Sequence, residues 1–392
     1  MTDATRVCLD GNVNDASQHR ITSDVTVSAD SGISLALSGG GVRALVFHLG
    51  VLKLLAELGL MEKVGHISSV SGGSLAAGLI FANAERCWPS SEAFITKVYP
   101  AIKQKVCSRS LISDGLIQLI RPCNWQYLLS RANLVGKALE RHWDLDFTLR
   151  ELPLSPTWSI NATAAENGKR FRFKGTTIGD YEGGYAEAGD LPVSIAVAVS
   201  AAFPGGIGPL ALPTADYQWT KRGWGEPESA AKPVEPEFNP LHLYDGGVYD
   251  NLGLEPLFDA GKGKPKVRAG IVIASDAGAP LAQGFSAVAL NPWRLKRVAD
   301  IMADQARNLR VRTFVEYLKR TNAGAFIQID SPLFDRATDR NAEFACTFPT
   351  TLRRLSEIEF DGLAEHGYAV AKRVYETYGL GVPEGKEHET LK

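Results

Sequence analysis

Two short apolar runs, each followed at once by a glycine-bearing turn and then by a helical pattern, constrain this chain more than any other feature. Ile33 to Leu37 leads into Ser38, Gly39, Gly40 and Gly41, and the helical pattern Val42 to Leu58 is stopped by Gly59. Ile67 to Val70 leads into Ser71, Gly72 and Gly73, and a small-residue helix follows from Ser74 to Ala84. A strand that must return beside its neighbour after a helical crossover builds a parallel sheet, and such a sheet needs cover on both faces. The repeated unit therefore predicts an α/β fold: a mostly parallel central sheet with helices on both faces, in three layers.

The rest of the chain extends that plan. The periodicity from about 100 to 150 is helical and mixed in character, and reads as an inserted cap. Thr157–Ala165 and Arg170–Phe173 flank Asn167 and Gly168, a turn pair suited to a hairpin. Leu191–Ala202 reads as a helix ended by Phe203 and Pro204. The segment 216–240, with Pro227, Pro233, Pro236 and Pro240 and no apolar period, reads as a mobile surface loop. His242–Tyr244 and Arg268–Ser275 are strand candidates. Asn291 and Pro292 look like the N-cap and first position of a long amphipathic helix reaching about Arg320, with Leu295, Val298, Met302, Leu309 and Phe314 on its apolar side. That side is expected to pack on the core rather than on a membrane. Phe326–Ile329 reads as a late strand and Thr351–Tyr378 as a final helix. The expected organisation is a polar arm over 1–30, a core over 31–280, a helical extension over 281–382 and a polar tail over 383–392.

Composition removes several functions. Forty-two basic against 44 acidic side chains leave a formal net charge of −2, which offers no field to gather a nucleic acid. Five scattered cysteines show no metal-ligand spacing and read as reduced thiols, which points to the cytoplasm, and no metal or other cofactor is implied. The 191–213 stretch is broken by prolines and glycines and cannot span a bilayer, so any membrane contact is expected to be peripheral. Nothing in the sequence sets an oligomeric state.

Three glycine turns carry the chemistry, because ligands on open α/β sheets bind beyond the carboxyl ends of strands. The first, Ser38 to Arg43, puts bare amides at a helix amino end, where negative charge is stabilised. Gly39, Gly41 and Ala44 also satisfy a dinucleotide fingerprint, but the next strand ends in Ser69, Val70 and Ser71 without the acidic residue that would hold a ribose. An oxyanion hole therefore ranks above a nucleotide site. The second turn, Ser69-Val70-Ser71-Gly72-Gly73, nearly matches the nucleophile elbow G-x-S-x-G, with Ser69 in place of the first glycine. None of the seven histidines stands out as its base; His48 and His66 sit in or beside core elements. The third turn, Asp245-Gly246-Gly247, supplies a carboxylate at a strand end, so Ser71 and Asp245 form a candidate dyad.

Together the three turns resemble the patatin-like phospholipase family, over about Ile33 to Asp276. Ser200 to Pro204 is similar to the family's Ser-x-x-x-Pro stretch, and Asn161-Ala162-Thr163 to its central strand. The resemblance implies Ser71 as nucleophile, Asp245 as its partner, and Gly39, Gly40, Gly41, Arg43 and Gly72 around the oxyanion, with Gly73, Gly246 and Gly247 completing the turns. It departs at Ala44 and Ser69, each replacing a glycine. The implied activity is release of fatty acid from phospholipids or lysophospholipids through an acyl-enzyme. A thioesterase or general carboxylesterase with the same dyad is the alternative, and a non-catalytic lipid-binding module is the alternative of another class. Arg43 either holds the loop or meets a phosphate, or is a structural arginine. Trp125, Tyr127 and Trp143 of the cap are candidate interfacial side chains, against a plain solvated cap.

Overall fold

A computed structural model describes residues 32–127, 131–223, 225–266, 270–281, 283–285, 293–333 and 340–381. The expected polar arm and tail, and the Asn291-Pro292 helix start, lie outside them. In chain order the chain runs β1 (Ile33–Leu37), α1 (Gly41–Glu57), β2 (Val64–Ser69) and α2 (Gly72–Asn83). There follow β3 (Thr157–Ala164), β4 (Arg170–Lys174), β5 (Thr177–Asp180), β6 (Gly184–Glu187), β7 (Leu210–Leu212), β8 (Trp219–Lys221), β9 (Lys232–Pro233) and β10 (Leu241–Asp245). A two-residue pair, β11 (Phe258–Asp259) and β12 (Lys264–Pro265), precedes β13 (Ile271–Asp276) and β14 (Gly324–Gln328).

The centre of the sheet is β14-β13-β1-β2-β3, and every pairing in it is parallel. Beyond β3 the sheet continues as an antiparallel wing through β4, β5, β6, β8 and β9. β10 runs antiparallel along the far half of β3, setting Asp245 opposite Ala162. The sheet is thus the expected α/β core with a wing that only the 157–173 hairpin announced.

Alternation along the central strands explains the two helical layers. Ile33, Leu35 and Leu37 of β1, with Ile271 and Ile273 of β13, point into the larger core beneath α1. Ala36, Val272 and Ala274 point the other way, onto Phe258, Phe314 and Tyr317. α1 is buried almost all round because the helix Glu357–Tyr378 covers its outer side. The two backbones nearly touch: a β-carbon on Gly50 would lie 2.0 Å from the Ala364 carbonyl, and one on Gly367 2.2 Å from that of Phe47.

Four expectations need correction. The final helix starts at Glu357, where Ser356 and Glu359 form a capping box, and residues 351–356 are not helical. The segment 216–240 contains β8 and β9, and Trp219 is buried with its indole N–H on the Thr214 carbonyl, 2.8 Å away. Trp143 is fully buried and donates to the Asp114 carboxylate at 3.0 Å, so it faces no lipid. On the long helix, Trp293–Thr321, only Phe314 of the five apolar residues is buried; Leu295, Val298, Met302 and Leu309 are exposed. The helix crosses the sheet with its carboxyl half and overhangs with the rest.

Candidate active site

β1 and β2 end side by side, Leu37 opposite Ser69, so the turns that follow them are forced together. At the second turn the chain passes from strand to helix within one residue. Ser71 makes that corner with φ 51° and ψ −115°, a left-handed conformation that costs a residue with a β-carbon of order 1–3 kcal/mol. Its amide donates to both the carbonyl and the hydroxyl of Ser200, at 3.1 and 3.0 Å. The corner is therefore held from the neighbouring helix Val193–Ser200.

A buried chain of hydroxyls supports this hold. Trp158 Nε1 donates to Ser69 Oγ at 2.8 Å, Ser69 and Ser74 share a hydrogen bond of 2.8 Å, Ser74 and Ser200 another of 2.8 Å, and Ser200 Oγ donates to the Asn161 carbonyl at 2.7 Å. Ser69, which replaces a glycine of the elbow pattern, is thus a member of a satisfied network, so its hydroxyl carries no burial penalty. Asn161 reaches back from β3, its Nδ2 donating to Ser68 Oγ at 3.0 Å and the Ser69 carbonyl at 2.9 Å.

Asp245 ends β10, where Thr163 Oγ1 donates to its carbonyl at 2.9 Å. Its carboxylate accepts the Gly247 amide at 2.7 Å, and the side chain of Ser71 lies close enough to favour its charged form. Burial raises its pKa from 3.8 to about 7, with the Gly247 amide and the Ser71 side chain pulling in the opposite direction. No hydrogen bond joins a histidine to Ser71 among the described residues. His48 is locked between Ser275 Oγ at 2.7 Å and the Ser38 carbonyl at 2.9 Å, and burial lowers its pKa to about 4.

The first glycine turn lies against Ser71. A β-carbon on Gly72 would lie 2.2 Å from the Gly41 carbonyl, so the amino ends of α1 and α2 meet only because no side chain stands there. Gly40 (φ 146°) and Gly41 (φ 63°) turn the loop, and a β-carbon on Gly39 would come 3.2 Å from that of Ser71. As N-cap or first-turn residues, Gly40, Gly41 and Gly72 have amides with no intrahelical acceptor. The amides beside them are taken: Gly39 donates to the Asn251 carbonyl at 3.0 Å, Gly73 to that of Ser38 at 3.1 Å and Val42 to that of Thr351 at 2.9 Å. Ala44 lies against the would-be β-carbons of both Gly40 and Gly72, at 3.1 and 2.9 Å, tolerated because it is a single methyl. Gly246 continues the third turn, its amide 3.4 Å from the Ser200 carbonyl.

Arg43 borders the glycine turn, its Nη2 3.1 Å from where a β-carbon on Gly40 would be. It is buried, and its Nη1 donates to the Phe348 carbonyl at 2.7 Å, which fastens the segment before the last helix onto the glycine turn. Sequence reasoning missed Asn251. Its side-chain oxygen occupies the ground between Gly39 and Gly247, 2.3 and 2.7 Å from where their β-carbons would be. An asparagine six residues after Asp245 carries no local signal; Asp250, buried and accepting the Leu252 and Glu255 amides at 3.1 and 2.8 Å, shapes the turn that delivers it.

A serine at a strained strand-to-helix corner, an adjacent carboxylate and a glycine turn at one edge of the sheet define an α/β protein of the patatin class. The sequence model described as Patatin-like phospholipase matches residues 35–258. The chain belongs to that family. Its structure is similar to that of human GIVD cytosolic phospholipase A2, with a TM-score of 0.52 and 12% identity over 90% of this chain and 60% of that one. This chain thus spans about three fifths of that protein's length, and the likeness concerns the fold. VipD from Legionella pneumophila matches 89% of this chain and 67% of its own at 14% identity, with a TM-score of 0.37, too low to bear on the fold. No curated protein matches the sequence significantly. Among the described residues no helix is long and apolar enough to cross a membrane, and no group of His, Cys, Asp and Glu is placed to hold a metal ion.

Proposed function

We propose that this chain is a serine acyl hydrolase that releases fatty acids from phospholipids or lysophospholipids. The observation that carries the reading is the placement of the Ser71 side chain beside the buried Asp245 carboxylate, at the amino end of α2. Asp245 takes the Ser71 proton as the serine oxygen attacks the ester carbonyl. The amides of Gly40, Gly41 and Gly72 face the developing oxyanion, and one such donor is worth about 3 kcal/mol of barrier. Asp245 returns the proton to the leaving alcohol, and an acyl-Ser71 remains. Water, deprotonated by Asp245, then frees the fatty acid. A base whose pKa is near 7 is matched to this double role at neutral pH.

Gly39, Gly73, Gly246 and Gly247 serve the backbone that holds these groups, and Arg43 serves it through Phe348. Transient contact with a lipid surface is supported by the cap, where Ile112, Leu116, Ile120 and Trp125 are exposed together. The test is fatty-acid release from phospholipid and lysophospholipid vesicles, from an acyl thioester and from a short-chain ester, with Ser71→Ala and Asp245→Ala alongside. Loss of lipid hydrolysis in both variants is expected. Turnover of the thioester or simple ester alone would move the assignment to a thioesterase or carboxylesterase. Vesicle binding without turnover of any substrate would leave a lipid-binding module.

A further inference from the structure

We propose that the overhanging amino half of the helix Trp293–Thr321 docks the protein onto anionic lipid. In its carboxyl half this helix behaves as a core helix: Phe314 and Tyr317 are buried against Phe258, and Arg307 binds the buried carboxylate of Asp276 through Nε at 2.9 Å. Before Arg307 one side of the helix is open, while Arg294 lies over the Phe285 ring, 5.4 Å from its centre. Leu295, Val298, Met302 and Leu309 are 78%, 53%, 68% and 62% exposed. At 3.6 residues per turn all four fall within about 60° of arc, on the side opposite Phe314, and form a stripe about 21 Å long.

Charge selects the occupant. The helix carries eight Arg or Lys residues against Asp300, Asp304 and Glu316. Arg294 and Arg312 lie along one rim of the stripe, on the same line as the exposed Ile301. Asp300 and Asp304 lie on the reverse side, where Asp300 pairs with Lys296 at 2.5 Å and Asp304 accepts from Asn308 at 2.9 Å. Glu316 follows two turns beyond Leu309. An apolar stripe edged by cations, with Asp300 and Asp304 turned away and Glu316 beyond its end, fits an interface of acyl chains beneath negative head groups. A second copy of the chain would set like charges against each other.

The placement suits the chemistry, and to that extent the inference rests on the acyl-hydrolase reading. Asp276 ends β13 at the same edge of the sheet as Ser71; the Ala277 amide donates to Ser38 Oγ at 2.7 Å, and the Ala277 carbonyl lies 3.2 Å from where a β-carbon on Gly40 would be. The helix is therefore anchored beside the glycine turn, and its free half projects about 18 Å from Arg307 to Leu295.

The test uses the full chain with Ser71→Ala, so that the membrane survives, in flotation with vesicles of phosphatidylcholine alone or with about one third phosphatidylserine. Leu295→Asp with Met302→Asp is expected to lower partitioning onto the mixed vesicles about tenfold or more. Arg294→Glu with Arg312→Glu is expected to weaken it on the mixed vesicles only, an effect erased by high salt. In the Ser71 background, Leu295→Asp with Met302→Asp keeps its rate on a soluble short-chain ester, which shows the fold intact. Unchanged flotation of the aspartate variant would overturn the assignment. So would light scattering that finds a dimer in the parent and a monomer in the variant with vesicle binding equal. If the parent lacks ester activity while flotation behaves as described, the acyl-hydrolase reading fails and the docking surface stands.

Discussion

Replacing Asp245 by Asn is expected to stabilise the folded chain while removing its chemistry. The carboxylate is buried, and its pKa in the folded protein is about 7 against 3.8 for a free side chain. With the folded value above the unfolded one, the native state holds an extra proton between about pH 4 and pH 7. Stability contributed by this group is therefore lost as pH rises through that interval and stays lost above it. That difference in pKa corresponds to about 4 kcal/mol. Asn is neutral at every pH and can still accept the Gly247 amide, but burial of its own amide offsets part of the gain, leaving about 2–3 kcal/mol. For a chain of this size that is a rise in melting temperature of roughly 2–4 °C. Scanning calorimetry of both proteins at pH 8 should show the rise, and at pH 4.5 most of it should be gone. Equal melting at pH 8, or a gain that does not change with pH, would refute the argument that burial of an ionised Asp245 strains the native state. The same group should govern the rate: with about a tenth of Asp245 ionised at pH 6 and about nine tenths at pH 8, kcat/KM should climb nearly tenfold between them.

Other perturbations probe the neighbouring parts. Ser71→Ala should lower hydrolysis roughly 10³-fold or more in a fatty-acid release assay, whereas Ser71→Gly, equally inactive, should gain about 1 kcal/mol in urea unfolding by relieving the left-handed corner. Gly72→Ala drives a methyl group onto the Gly41 carbonyl and displaces the amide donors, so kcat should drop about 10²-fold with KM little changed; a full rate would remove those amides from the oxyanion site. Arg43→Met should cost about 1–3 kcal/mol of stability by leaving the Phe348 carbonyl without its buried donor. If Arg43 instead met substrate phosphate, KM for phospholipid would rise while stability stayed level.

Much of the site was legible because its signals are local. A glycine after a short apolar run marks a strand end wherever it occurs; the first two turns converge by the logic of a parallel sheet, and the third reaches them from β10, which runs antiparallel beside β3. Ser71, Asp245 and the Gly39–Gly41 turn could be named from that alone. Asn251, the Trp158-Ser69-Ser74-Ser200 hydroxyl chain and the strap that offers the Phe348 and Thr351 carbonyls to Arg43 and Val42 could not. Each joins residues far apart in the chain, and none has a pattern within its own few residues.

The long helix shows the same division from the other side. Spacing of Leu295, Val298, Met302, Leu309 and Phe314 reveals an amphipathic helix, since periodicity is a property of the backbone that carries it. Whether that face is covered depends on what the rest of the chain puts beside it. Here the sheet lies beneath Phe314 and not beneath Leu295. By itself the sequence determined the strand-turn-helix units, the residues at their turns and the class of fold they build, all of which follow from short-range sterics and alternation. Only the tertiary structure decided how acidic Asp245 is, which amides near Ser71 are left without a partner and which apolar surface stays open, because burial and hydrogen-bond partnership are set by atoms that arrive from elsewhere in the chain.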